Sequence, residues 1–144
     1  MRLSTRTRYG TRAMLEIARR GNNGPVKRKD IAQAQGVTEG YLENILGVLR
    51  RQHLVRTVRG ADGGFILERQ PSQISLLEVV TALEGSIAPV PCIEDPASCD
   101  RTPSCAALEV WRTLHDAQTR ALSGVTLQDM VDMERKRGGR DYVI

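Results

Sequence analysis

Apolar residues recur at helical spacing near the start of the chain. Ala13, Met14, Ile17 and Ala18 share one face of a helix predicted over residues 4–20, with Ser4 placed to cap it. The run GNNGP, residues 21–25, ends that helix. Arg28 to Gln35 reads as a short helix, and Gly36 is its stop signal. Thr38 caps a longer helix through about Gln52, where Leu42, Ile45, Leu46 and Leu49 form an apolar stripe. The short apolar runs LVRTVRG and FILER then flank ADGG, a hairpin signal. Two helices joined by a tight glycine turn and followed by a hairpin are the sequence picture of a winged helix.

Beyond the hairpin the pattern changes. Ser75 and Glu78 fit a capping box that starts a helix to about Glu84, ended by Gly85. Residues 86–105 show neither helical nor strand periodicity and read as a loop. A long helix is predicted from Ala106 to about Ser123. Its larger apolar residues are Leu108, Val110, Trp111, Leu114 and Leu122. Leu108, Trp111 and Leu114 lie on or near one face; spacing leaves open whether that face meets a partner helix or the chain's own core. A shorter helix, about Leu127 to Lys136, follows the break at Gly124 to Thr126. The expected fold is mainly α with a small β wing (α+β).

Composition narrows the function. The length of 144 residues suits one compact domain, or a small domain with an extension. Residues 1–60 carry 13 Lys/Arg against 4 Asp/Glu, a net +9; residues 61–144 carry 8 against 13, a net −5. A clustered positive field suits phosphate neutralisation. One Phe, one Trp and three Tyr are too few for a base-stacking platform, which favours a reader of double-stranded DNA. No apolar run approaches the ~18 residues of a membrane span, and the N-terminus has no apolar signal core. A cytoplasmic protein without membrane contact is expected.

The candidate chemistry lies in the loop. Cys92, Cys99 and Cys105 stand within PCIEDPASCDRTPSC, and the chain has no other cysteine. An odd count in a cytoplasmic chain argues against a disulfide framework. Thiolates select soft metal, and softness alone does not separate zinc, iron–sulfur and plain thiols. In the cluster-free alternative the loop holds zinc or its thiols are oxidised directly, with Cys105 at a helix start as the natural candidate for oxidation. No catalytic set assembles around His53, His115 or Cys105, so an enzyme is not expected.

The candidate DNA contacts lie in the basic part. Thr38, Gly40, Tyr41 and Glu43 begin the second helix of the pair, where base edges are met in the major groove. Thr38 and Tyr41 can bond phosphate oxygens or base edges. Glu43 is repelled by phosphates unless it gains something specific, such as a hydrogen bond from cytosine N4; otherwise it pairs within its helix or faces solvent. Arg59 precedes the wing tip, Gly60 to Gly64. Glycines there allow close approach to the duplex, and an arginine suits a narrow minor groove. Arg2, Arg50, Arg51 and Arg56 are expected as phosphate contacts, at least one of them merely solvated.

Three stretches together resemble the IscR/NsrR-type winged-helix regulators of bacteria. They are MRLSTRTRYGTRAM, DIAQAQGVTEGYLENILGVLRRQHLVRTVRGADGGFIL, and the three-cysteine loop before a Trp-containing helix. The likeness reaches about residue 136. It implies a DNA-binding repressor and a homodimer, with a [2Fe-2S] or [4Fe-4S] cluster on Cys92, Cys99 and Cys105. It also implies a division into a DNA-binding domain (1–84), a cluster loop (85–105), dimerisation helices (106–136) and a loose tail (137–144). A typical cluster takes four ligands. Where IscR-like members have a histidine after the third cysteine, this chain has Leu108. Where NsrR-like members have an N-terminal aspartate, it has Arg8. Glu94, Asp95, Asp100, Glu109, a partner-chain group or a small molecule remain as fourth ligands. His53 replaces the family's usual glycine before Leu54-Val55.

Overall fold

A computed structural model describes residues 1–138 of the chain. Helix α1 spans Thr5–Arg20, and the Ser4 hydroxyl accepts from the Thr7 N–H at 3.1 Å. That bond satisfies one of the orphan donors of the first turn. α1 buries Ala13, Met14 and Ile17, the face its periodicity marks. Helix α2 spans Arg28–Gln35 and ends on Gly36 in the left-handed conformation, φ 66°. Helix α3 spans Glu39–Arg51, and strands β1 (Val55–Val58) and β2 (Gly64–Leu67) form an antiparallel pair. Helix α4 spans Leu76–Glu84 and starts with a complete capping box between Ser75 and Glu78. The result is mostly helical with a two-stranded wing, as the pattern predicts.

Met14, Ile17, Ile31, Leu42, Ile45, Leu46 and Leu49 are fully buried and join α1, α2 and α3 around one core. Val55 and Phe65 attach the wing to it. The wing has a further anchor. Val26, just before α2, exchanges both backbone hydrogen bonds with Phe65, at 2.9 and 2.8 Å. A Cβ on Gly64 would collide with the Val26 carbonyl, and one on Gly63 with the Val58 carbonyl. These two glycines are therefore required by internal packing. Gly60, with φ 117°, turns the tip.

His53 carries the turn from α3 into β1. It sits at φ 55°, the one left-handed non-glycine residue among those described. Its N–H donates to the Arg50 carbonyl at 3.0 Å, and Leu54 N–H to the Leu49 carbonyl at 3.0 Å. Glycine is the usual residue at such a helix exit, and a side chain there costs about 1 kcal/mol.

The cysteine stretch is more ordered than its lack of periodicity implies. It contains three 3₁₀ turns, Pro91–Ile93, Pro96–Ser98 and Thr102–Ser104, each with a proline at its first or second position. Proline fits there because its φ is preset and its missing N–H would have no partner in the first turn. Helix α5 follows, Ala106–Ser123. Only Leu108 of this helix is buried; Trp111 and Leu114 stay 39% and 40% exposed, and Val110 60%. The stripe predicted from spacing thus divides, its first member going to the chain's own core.

Helix α6 spans Leu127–Gly138 and turns back to the body. Leu127 N–H donates to the Ile74 carbonyl at 3.0 Å, and Leu127 joins the core while α6 packs on α1. α6, one of the helices expected to pair, thus also packs on the body through Leu127. It also runs two residues beyond the expected end at Lys136. The rest of the expected tail, residues 139–144, lies outside the described residues.

Candidate nucleic-acid interface and cysteine loop

The start of α3 presents a compact polar surface. Thr38 Oγ1 accepts from the Tyr41 N–H at 3.2 Å, so the hydroxyl is spent on the cap as acceptor but keeps its own proton to donate. Gly40 is exposed, and a Cβ built on it meets nothing within 4 Å. No internal contact demands a glycine at this position. Tyr41 is half-buried; its ring meets Tyr9 edge-on at 6.1 Å, and Arg12 lies 5.4 Å over the Tyr9 ring. Tyr41 therefore ties α3 to α1 as well as facing outward.

Glu43 neither pairs within its helix nor points freely into solvent. Its Oε2 accepts from Arg28 Nη1 at 3.1 Å, while Arg28 Nε donates to Glu39 Oε2, also at 3.1 Å. Arg28 opens α2, so one guanidinium spans the gap between the two helices of the motif. The hydrogen bond to Glu43, then that to Glu39, makes Arg28 hold its proton more tightly than a free guanidinium. Sequence reasoning passed over Arg28 because the contact joins two separate helices. A basic residue opening α2, opposite acids one turn into α3, is the only signal it left.

The arginines differ in their surroundings. Arg50 Nη1 donates to Thr57 Oγ1 at 3.3 Å, so it braces α3 against β1. Arg51 lies near Gly47, whose Cβ would come 3.5 Å from its Nη1. Arg2, Arg56, Arg59 and Gly60 are exposed, with Arg59 at the entrance to the wing turn. Arg2, at the N-terminus, lines a shallow cleft with Leu3, Ser4, Thr5 and Arg8.

All three cysteines are free thiols; Cys99 is exposed, and Cys92 and Cys105 are half-buried. Cys92 lies inside the first 3₁₀ turn, Cys99 closes the second, and Cys105 closes the third and caps α5. The Cys99 carbonyl accepts from Thr102 N–H at 3.1 Å and from its hydroxyl at 2.7 Å. Among the described residues no three His, Cys, Asp or Glu side chains converge on a point that would hold a metal ion. The donors are of the right chemical type for soft metal. His115, on α5, has a buried Nδ1 without a hydrogen-bond partner.

A basic winged helix joined to a long, largely bare helix through a cysteine loop defines a class, the winged-helix transcription regulators that bind DNA. The family model of Rrf2, described as an iron-dependent transcriptional regulator, matches residues 3–133, and the chain belongs to that family. It is 41% identical over 131 residues to the protein rrf2 of Nitratidesulfovibrio vulgaris, covering 91% of this chain and 87% of the relative. Two solved structures are similar. One is CymR of B. subtilis, titled the global cysteine regulator, with TM-score 0.77 and 36% identity over 92% of this chain and 98% of that one. The other is T. potens IscR, with TM-score 0.77 and 35% identity over 93% and 88%. No helix of the described residues is long and apolar enough to cross a membrane.

Proposed function

We propose that this regulator is a cytoplasmic repressor that binds double-stranded DNA as a homodimer and is controlled by an iron–sulfur cluster on Cys92, Cys99 and Cys105. α3 enters the major groove with Thr38, Gly40, Tyr41 and Glu43, and the wing brings Arg59 to the adjacent minor groove. Arg2 and Arg56 neutralise phosphates. α5 pairs with a second copy, a reading supported by the exposure of Val110, Trp111 and Leu114. The functional division is a reading body of residues 1–84, closed by α6, and a sensing and pairing arm of 85–123.

The observation that carries control is a continuous path of packing. The first 3₁₀ turn, which holds Cys92, packs on α5; α5 packs on α4; α4 packs on α3. This chain of packed elements is the route by which a change at the thiols would bias the reading helix. A bound cluster would supply a redox- and oxygen-sensitive group. This chain contributes three thiols and the proline-pinned turns that carry them.

A second reading is a cluster-free thiol sensor, favoured by the three free thiols, of which Cys99 is exposed. Anaerobic reconstitution, with iron and sulfide quantitation and mild oxidation followed by mass spectrometry, separates the two. The first reading expects a brown protein with iron and sulfide. A colourless protein that gains oxygen or a disulfide at the loop leaves the second.

A further inference from the structure

We infer that Arg28 is a specificity-determining residue, which sets the position from which Glu43 reads a base. This rests on the proposed contact between Glu43 and DNA, and it adds a residue outside the recognition helix to the reading surface.

Arg28 is in an unfavourable place for a lone cation. It is the first residue of α2, where the positive end of the helix dipole repels it. Glu39 and Glu43, one turn apart on α3, repel each other. The guanidinium relieves both conflicts at once, with Nε on Glu39 and Nη1 on Glu43, each at 3.1 Å. A planar fork can serve two carboxylates in fixed directions, which a lysine ammonium cannot do with the same geometry.

An exposed ion pair contributes little to stability, and the three side chains are all about half exposed. Its consequence is positional. Glu43 would otherwise be a flexible carboxylate on a surface that meets phosphates. Held through Oε2, it keeps Oε1 free, because a carboxylate offers about four lone-pair sites. A pre-placed acceptor discriminates better among bases than one that must be ordered on binding. Arg28 also cancels one of the two negative charges that α3 would carry towards the backbone.

The test is competition binding to a randomised site library with the full chain, for wild type, Arg28→Met, Arg28→Lys, Glu43→Gln and the double variant Arg28→Met/Glu43→Gln. Thermal melts of each confirm that the variants are folded. We expect Glu43→Gln to flatten preference at one base pair. Arg28→Met should lose about three- to tenfold discrimination at that same base pair, and the double variant no more than Glu43→Gln alone. Arg28→Lys should fall between wild type and Arg28→Met. An equal loss of affinity on all sequences after Arg28→Met would make Arg28 a phosphate contact and overturn the inference, as would an unchanged preference. If Glu43→Gln itself leaves every position unchanged, the reading of Glu43 fails and the inference falls with it. If only Arg28→Met is silent, the inference alone fails.

Discussion

The winged-helix body and the cysteine arm are built on opposite principles. From α1 to α4, apolar residues face one another inside the same chain, and α6 returns to seal them with Leu127 and Val131. From Gly85 to Ser123, only Ile87 and Leu108 are buried hydrophobics, while Val110, Trp111 and Leu114 lie open. The body completes itself. The arm is held by prolines, Ile87, Leu108 and local hydrogen bonds, and leaves its apolar face for something else. A regulator needs this contrast: a rigid surface to read bases, and a region whose state depends on what is bound or paired.

The largest effect should come from the core. Leu46→Ala is expected to cost about 2–5 kcal/mol in denaturant unfolding, because a fully buried leucine leaves a cavity. Leu114→Ala should stay within about 0.5 kcal/mol in dilute protein and become more costly as concentration rises and copies pair. Equal, concentration-independent costs at the two sites would abolish the contrast.

Gly64→Ala should destabilise the body by about 1–3 kcal/mol and loosen the wing, since the new Cβ meets the Val26 carbonyl. Hydrogen exchange of the Phe65 amide, which donates to Val26, reports it directly. His53→Gly should act in the opposite direction and stabilise by about 1 kcal/mol, because it removes a side chain from a left-handed position. Thermal melting decides the sign.

The smallest effect is set by pH. Glu84 at the end of α4 accepts from the Ser4 N–H at 2.6 Å, and that bond, with the Thr7 hydroxyl next, holds its carboxyl below the usual range. A folded value below the unfolded one means stability that is present above the ordinary carboxylate range and is lost as pH falls through the folded value. Glu84→Gln should therefore flatten the acid side of a stability–pH profile while leaving the neutral slope alone. An unaltered acid limb would show that the α1–α4 clasp is not electrostatic.

What was legible in the sequence was local. Ser4, Thr38 and Ser75 cap their helices because a hydroxyl reaches a backbone N–H three residues on, and Gly36 ends α2 through its left-handed conformation and its own N–H on the carbonyls of the last turn. The winged helix follows from such signals in order. The 3₁₀ turns were not read, since a single turn has no periodicity, although Pro91, Pro96 and Pro103 marked them. The return of α6 and the Arg28–Glu43 pair escaped for a different reason. Periodicity shows that a face is apolar or charged, not which other face it meets.

Under the proposed function, the cysteine arm controls what the body reads. The most direct measurement is DNA competition binding under anaerobic conditions, for wild type and for a Cys92→Ser/Cys99→Ser/Cys105→Ser variant, each before and after supply of iron and sulfide. Wild type should change its affinity or its preferred sequences on reconstitution, while the variant gives one unchanging profile and melts like the wild type without iron. Identical profiles for wild type in both states, or a variant that still responds, would contradict the claim.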